Sequence, residues 1–256
     1  GPDSFFMDET GEIMKQAGKD HTILRIDEIA SPGAVRLRMR SLIESLKVII
    51  QEPVAGMKTF QGYEASYRKE DRKKTILAPW FADFISPFIP ALGELAGYKI
   101  VNLPKTNNVS AEAGLIYGHN EVCYPSTLIL GDIITALQSG NYDLDNIVVA
   151  ITQTGGQCRA TNYLAQIKSG LQSAGFSHIP VLVFAAGEVF QNEQKAFRLP
   201  VLKLMDILVY MLLYADALQQ MYSSTIIREK KKGETQHLFD FYIDRGVEAV
   251  RMNDHK

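Results

Sequence analysis

From Thr75 onward the apolar positions fall into four short runs separated by longer stretches of helical character. The runs are Thr75 to Phe81 (TILAPWF), Lys99 to Leu103 (KIVNL), Asn146 to Thr152 (NIVVAIT) and Pro180 to Ala185 (PVLVFA). Short apolar runs rich in β-branched residues, bounded by turn residues, predict buried strands. Between them the spacing predicts helices over Pro87 to Ala96, about Pro125 to Gln138 and about Arg159 to Ala174, the first and last stopped by Gly97 and Gly175. The stretch between the second strand and Pro125 reads as a long polar turn. Strands alternating with helices at this spacing predict βαβ crossovers and a parallel sheet covered on both faces, a Rossmann-like α/β arrangement.

The flanks differ from this regular centre. Thr22 to Glu28 predicts a short strand, and Ser31-Pro32 offers an N-cap and a first-turn proline for a helix through about Ile50. Leu37, Leu42 and Leu46 give that helix an apolar stripe, and Arg36 and Arg40 one turn apart read as its solvated face. Residues 56 to 74 mix glycine, tyrosine and charge without a period and read as an irregular connection. Beyond Phe197 the pattern is helical: an apolar stretch from Leu199 to Met221, read as a buried helix, and a weaker amphipathic one from Thr235 to Val250. Three regions result: a strand-helix lead-in over 1–70, the α/β unit over 71–190, and a helical segment over 191–256 expected to continue into a further domain. No internal repeat is visible.

Composition narrows the function classes. With 256 residues, 46% of them hydrophobic, the chain has enough apolar material for a substantial core. A formal charge of -2 supplies no basic field for nucleic acid, and the run Lys230-Lys231-Lys232 reads as a solvated turn. Lys203, Asp206 and Asp216 interrupt the longest apolar stretch and argue against a membrane span. Two cysteines make no disulfide framework, and no apolar leader opens the sequence, so a cytoplasmic location is expected. The opening Gly1-Pro2 reads as a cleavage scar ahead of a piece of a longer polypeptide.

The chemistry-bearing residues cluster at two turns. Cys123 stands in GHNEVCYP, before the helix that Pro125 is suited to start, and Cys158 stands in TGGQCR, after the third strand and at the head of the next helix. In open α/β sheets ligands gather beyond the carboxyl ends of the strands, where helix N-termini present unpaired N–H groups. A helix N-terminus and a cation such as Arg159 both favour thiolate over thiol. The backbone N–H groups of Gly155, Gly156 and Gln157 suit an anionic cluster, since glycine permits close approach. The same residues admit other uses: two inert core thiols, a redox or nucleophilic thiol, or a Thr154-Gly155-Gly156 turn that cradles a phosphate of a nucleotide or coenzyme A. His119 is a weaker ligand candidate. Trp80, Phe81, Phe84, Asp83 and Ser86 follow the first sheet strand and are candidates to wall the crevice, and Glu188 follows the fourth. No catalytic triad order and no H-E-x-x-H zinc motif occurs.

Taken together, IDEIASPGAVRLRMRSLIESL, GHNEVCYPSTLILGD and TGGQCRATNYLAQIKSGLQSAGF resemble the 2-hydroxyacyl-CoA dehydratase-related proteins, and most of all the large activase-related chains that fuse an ATPase activator to dehydratase-like domains. The likeness runs from about His21 to Phe184. It implies a 4Fe-4S cluster with Cys123 and Cys158 as metal ligands, and a pocket shaped by Tyr124, Pro125, Thr154, Gly155, Gly156, Gln157 and Arg159. It also implies electrons arriving from an ATP-dependent activator. Family members typically offer three cysteines to a cluster, so the resemblance leaves further ligands to His119, a carboxylate, solvent, a second copy of the chain or the rest of a longer polypeptide. It implies no catalytic residue within this chain. The alternatives are a scaffold domain of a larger activase-like protein, or a CoA- or nucleotide-binding α/β domain.

Overall fold

A computed structural model describes residues 63, 65–118, 124–153, 163–185, 194 and 196–253, with isolated positions at 10, 11, 13, 14, 17 and 39. The strand and helix expected over 22–50 lie outside the described residues, Met39 excepted. Four parallel strands form one sheet in the order β2-β1-β3-β4, where β1 is Thr75–Ala78, β2 Lys99–Asn102, β3 Ile147–Gln153 and β4 Val181–Ala185. The helices are α1 (Phe88–Ala96), α2 (Asn108–Tyr117), α3 (Tyr124–Gln138), α4 (Tyr163–Ser173), α5 (Val201–Thr225) and α6 (Glu234–Arg251). This is the expected α/β fold with a helical C-terminal part.

The strands read as nearly continuous apolar runs because both sheet faces are buried. Successive residues point to opposite faces, and the core divides accordingly. Ile76, Val148, Ala150 and Leu182 face a layer built from α1, α5 and α6. Leu77, Val149, Ile151, Val181 and Val183 face a layer built from α2, α3 and α4. The chain moves one way across the sheet from β1 to β2 and the other way from β2 to β3 and β4. Right-handed crossovers then require α1 on one face and α2, α3 and α4 on the other, as observed. The reversal lies between β1 and β3, which are directly paired through Thr75↔Ile147 to Leu77↔Val149.

Several expectations shift. Pro79 ends β1 at Ala78, since proline has no N–H for the ladder. The long polar turn after β2 contains α2, whose N-cap Asn107 accepts a hydrogen bond from the Ser110 N–H at 3.1 Å. This helix carries no broad apolar stripe because it packs through small residues. A Cβ at Gly131 would lie 1.7 Å from the Ser110 carbonyl oxygen, and one at Gly114 would lie 2.0 Å from that of Thr127. The backbones of α2 and α3 therefore touch.

The apolar stretch expected to be a buried helix is buried on one side only. Leu204, Ile207, Met211, Ala215 and Leu218 of α5 enter the core, whereas Leu202, Met205, Val209, Leu212 and Leu213 are exposed, Leu202 at 91%. Helical geometry accounts for the difference: the apolar residues recur on opposite sides of the helix, and the sheet side covers one of them, leaving the other with the exposed Asp206 and Asp216. Among the described residues no helix is long and apolar enough to cross a membrane.

On the outer side of β4, the Gln194 side chain pairs with the strand. The Val183 N–H donates to Oε1 and Nε2 donates to the Val183 carbonyl, both at 2.8 Å.

Candidate functional site at the carboxyl edge of the sheet

The reversal between β1 and β3 sets a topological switch point at the carboxyl ends of the strands, the usual ligand position in such sheets. Four chain segments border it: the loop after β1, the loop after β2, and the N-terminal turns of α3 and α4. The two helices are held together there. The Ser126 hydroxyl, in the first turn of α3, donates to Oε1 of Gln166, in the first turn of α4. Further along, Gly170 admits Leu130, whose Cδ1 would lie 2.5 Å from a Cβ at that position. Two helix N-termini thus lie side by side, and their dipole ends favour negative charge.

The first wall is the loop after β1. Buried Ser86 pins it: its Oγ accepts from the Phe81 N–H at 2.8 Å and the Ala82 N–H at 3.1 Å. The Ser86 carbonyl in turn accepts from Nδ2 of Asn102 at the end of β2, at 2.6 Å. This links the loop after β1 to the neighbouring strand. Trp80 and Asp83 form the outer part. Trp80 Nε1–H donates to Asp83 Oδ1 at 2.9 Å, and Lys105 Nζ reaches the same oxygen at 2.8 Å while standing 5.3 Å from the centre of the Trp80 ring. The hydrogen bond from Lys105, helped by Trp80, holds the Asp83 carboxyl below the usual range, against the opposing effect of partial burial. Phe81 is largely exposed and Phe84 packs on the core face shared with α1 and α5.

The loop after β2 is tied to α3. The Thr106 hydroxyl donates to Oδ2 of buried Asp132 at 2.6 Å. Burial pushes the Asp132 carboxyl up from its ordinary value, while hydrogen bonds from Thr106 and Ser110 pull it down by less. Sequence reasoning missed both Asp132 and Lys105. A lone aspartate inside an apolar helix pattern was the available signal for the first, and nothing local marks the second.

Of the sequence-derived candidates, Tyr124 is described and stands 60% exposed at the start of α3. Cys123, His119, Thr154, Gly155, Gly156, Gln157, Cys158, Arg159 and Glu188 lie outside the described residues. Cys123 immediately precedes Tyr124, and the segment with Cys158 runs from Gln153 at the end of β3 to Tyr163 at the start of α4. Among the described residues no group of three or more His, Cys, Asp or Glu side chains is placed to hold a metal ion. Compared with protein-family models, with curated proteins and with solved structures, the chain matches none.

Proposed function

We propose that this chain is an iron–sulfur-binding electron-transfer or accessory domain of an ATP-dependent activation system for 2-hydroxyacyl-CoA dehydratase-type enzymes. The observation that carries the reading is the Ser126–Gln166 contact, which brings the first turns of α3 and α4 together at the carboxyl edge. Each of those helices is preceded by a segment bearing one of the chain's two cysteines. Paired helix N-termini favour thiolates and an anionic cluster for the same electrostatic reason. In this reading Cys123 and Cys158 are the metal ligands. Gly155, Gly156 and Gln157 would supply backbone N–H groups for sulfide, and Arg159 would offset negative charge. A bound cluster would supply one-electron transfer. The paired helix N-termini would favour the deprotonated form of both thiols. Two cysteines leave coordination positions for other donors, so the chain contributes part of a cluster site and receives electrons from an activator domain or protein.

The test is anaerobic reconstitution with iron and sulfide, followed by absorption and EPR spectroscopy of the wild type and of Cys123→Ser and Cys158→Ser. The expected result is a cluster signal lost or altered in both variants. No signal, or one indifferent to both substitutions, refutes the proposal.

A further inference from the structure

We infer that the outer face of α5 is the interface of an antiparallel homodimer. Its exposed side chains Leu202, Met205, Val209 and Leu212 recur at spacings of three and four, the a/d seam with which one helix packs on another, and Leu213 widens it. Tyr210 and Tyr214, one turn apart, carry the apolar surface toward α6, where the Tyr214 hydroxyl donates to the Tyr242 carbonyl at 2.8 Å and Tyr242 stacks edge-on with Phe241. From their fractional exposure, the named side chains of α5 present roughly 440 Å² of apolar surface, counting about 90 Å² for a whole aliphatic side chain and about 200 Å² for an aromatic one. A standard interface buries about 800 Å² per partner, about 60% of it apolar. The face therefore supplies most of what one side of a stable dimer needs.

Charge selects both occupant and orientation. Asp206 and Asp216 lie on the outward side of α5, where an anionic lipid surface would repel them. A seam is complementary to another copy of itself under two-fold symmetry. In a parallel pair Asp216, at the next seam position, would face its own counterpart. An antiparallel pair centred on Val209 instead brings the Asp216 of each copy to the Leu202–Lys203 end of the other.

Sedimentation equilibrium of the full chain tests this. The expected species has twice the 28.6 kDa chain mass, and Val209→Glu or Leu213→Glu weakens association at least about 100-fold by placing a charge in the seam, with an unchanged circular dichroism spectrum. Ile116→Glu, on α2 across the sheet, leaves association intact. With both native cysteines changed to serine, Val209→Cys cross-links between copies on oxidation and Leu202→Cys does not, since a disulfide needs Cα atoms within about 7 Å. A monomer at about 100 μM, the concentration range in which a micromolar dimer is fully formed, overturns the proposal. So does a dimer dissolved by Ile116→Glu alone, or one cross-linked at Leu202, which signals a parallel pair.

Discussion

Substituting Gly131 by alanine should unseat α3 from α2. The added Cβ would lie 1.7 Å from the Ser110 carbonyl oxygen, 2.6 Å from its carbon and 2.9 Å from the Gly114 nitrogen. All three are backbone atoms of a helix, so no rotamer change relieves the overlap. To restore an ordinary contact the helices must separate by well over 1 Å, and gaps of that size forfeit a quarter to a half of the dispersion energy along the interface. Overpacking alone costs about 1–3 kcal/mol, and loss of the contact takes the total to roughly 3–5 kcal/mol. Gly170→Ala is the informative comparison. Its Cβ would meet Leu130 Cδ1 at 2.5 Å, a side-chain end that can swing aside, so about 1 kcal/mol is expected. Gly140→Ala meets nothing within 4 Å and pays only for its positive φ of 73°, about 1 kcal/mol. Urea denaturation of the three variants gives the ranking. A Gly131→Ala loss within about 0.5 kcal/mol of that of Gly170→Ala would refute the backbone-contact argument.

Other consequences can be read in similar assays. Asp132→Asn keeps an acceptor for Thr106 and removes a carboxyl whose folded value is raised; such a group binds its proton more tightly in the folded state, so its contribution falls as pH rises from below the unfolded value through the folded one. The variant should therefore equal or exceed the wild type by about 0.5–1 kcal/mol at pH 7, and lose that advantage below about pH 4, as thermal melts across pH would show. Phe88→Ala empties a fully buried position whose ring meets Tyr214 edge-on at 6.5 Å, and should cost about 3–5 kcal/mol in urea midpoint analysis. Trp80 is the chain's one tryptophan, so its fluorescence reports on the carboxyl edge alone; Lys105→Ala should shift that emission while changing stability by less than about 1 kcal/mol, because the ion pair is exposed.

The parallel sheet was legible because β1, β3 and β4 are buried on both faces and so appear as apolar runs such as NIVVAIT, while Gly97 and Gly175 mark helix ends by their positive φ. The helix Asn108–Tyr117 was not legible: it is held by close backbone packing and an Asn107 cap, neither of which produces a periodic apolar signal. The half-exposed face of α5 was misread as buried for the opposite reason, since apolar residues dominate both sides of the helix and its few charges, Lys203, Asp206 and Asp216, were weighed only against a membrane span. At the site, cysteine, glycine and helix-start signals pointed to two segments that lie outside the described residues. The Asp83–Lys105 and Thr106–Asp132 ties join residues distant in sequence, and only the sheet order brings them together.

The amide of Gln194 has a consequence beyond its two hydrogen bonds. By offering one acceptor and one donor to Val183 it imitates a single residue of a neighbouring strand at that position. A foreign strand can register on this border only by first displacing it. The fold thereby guards the middle of this margin against strand addition.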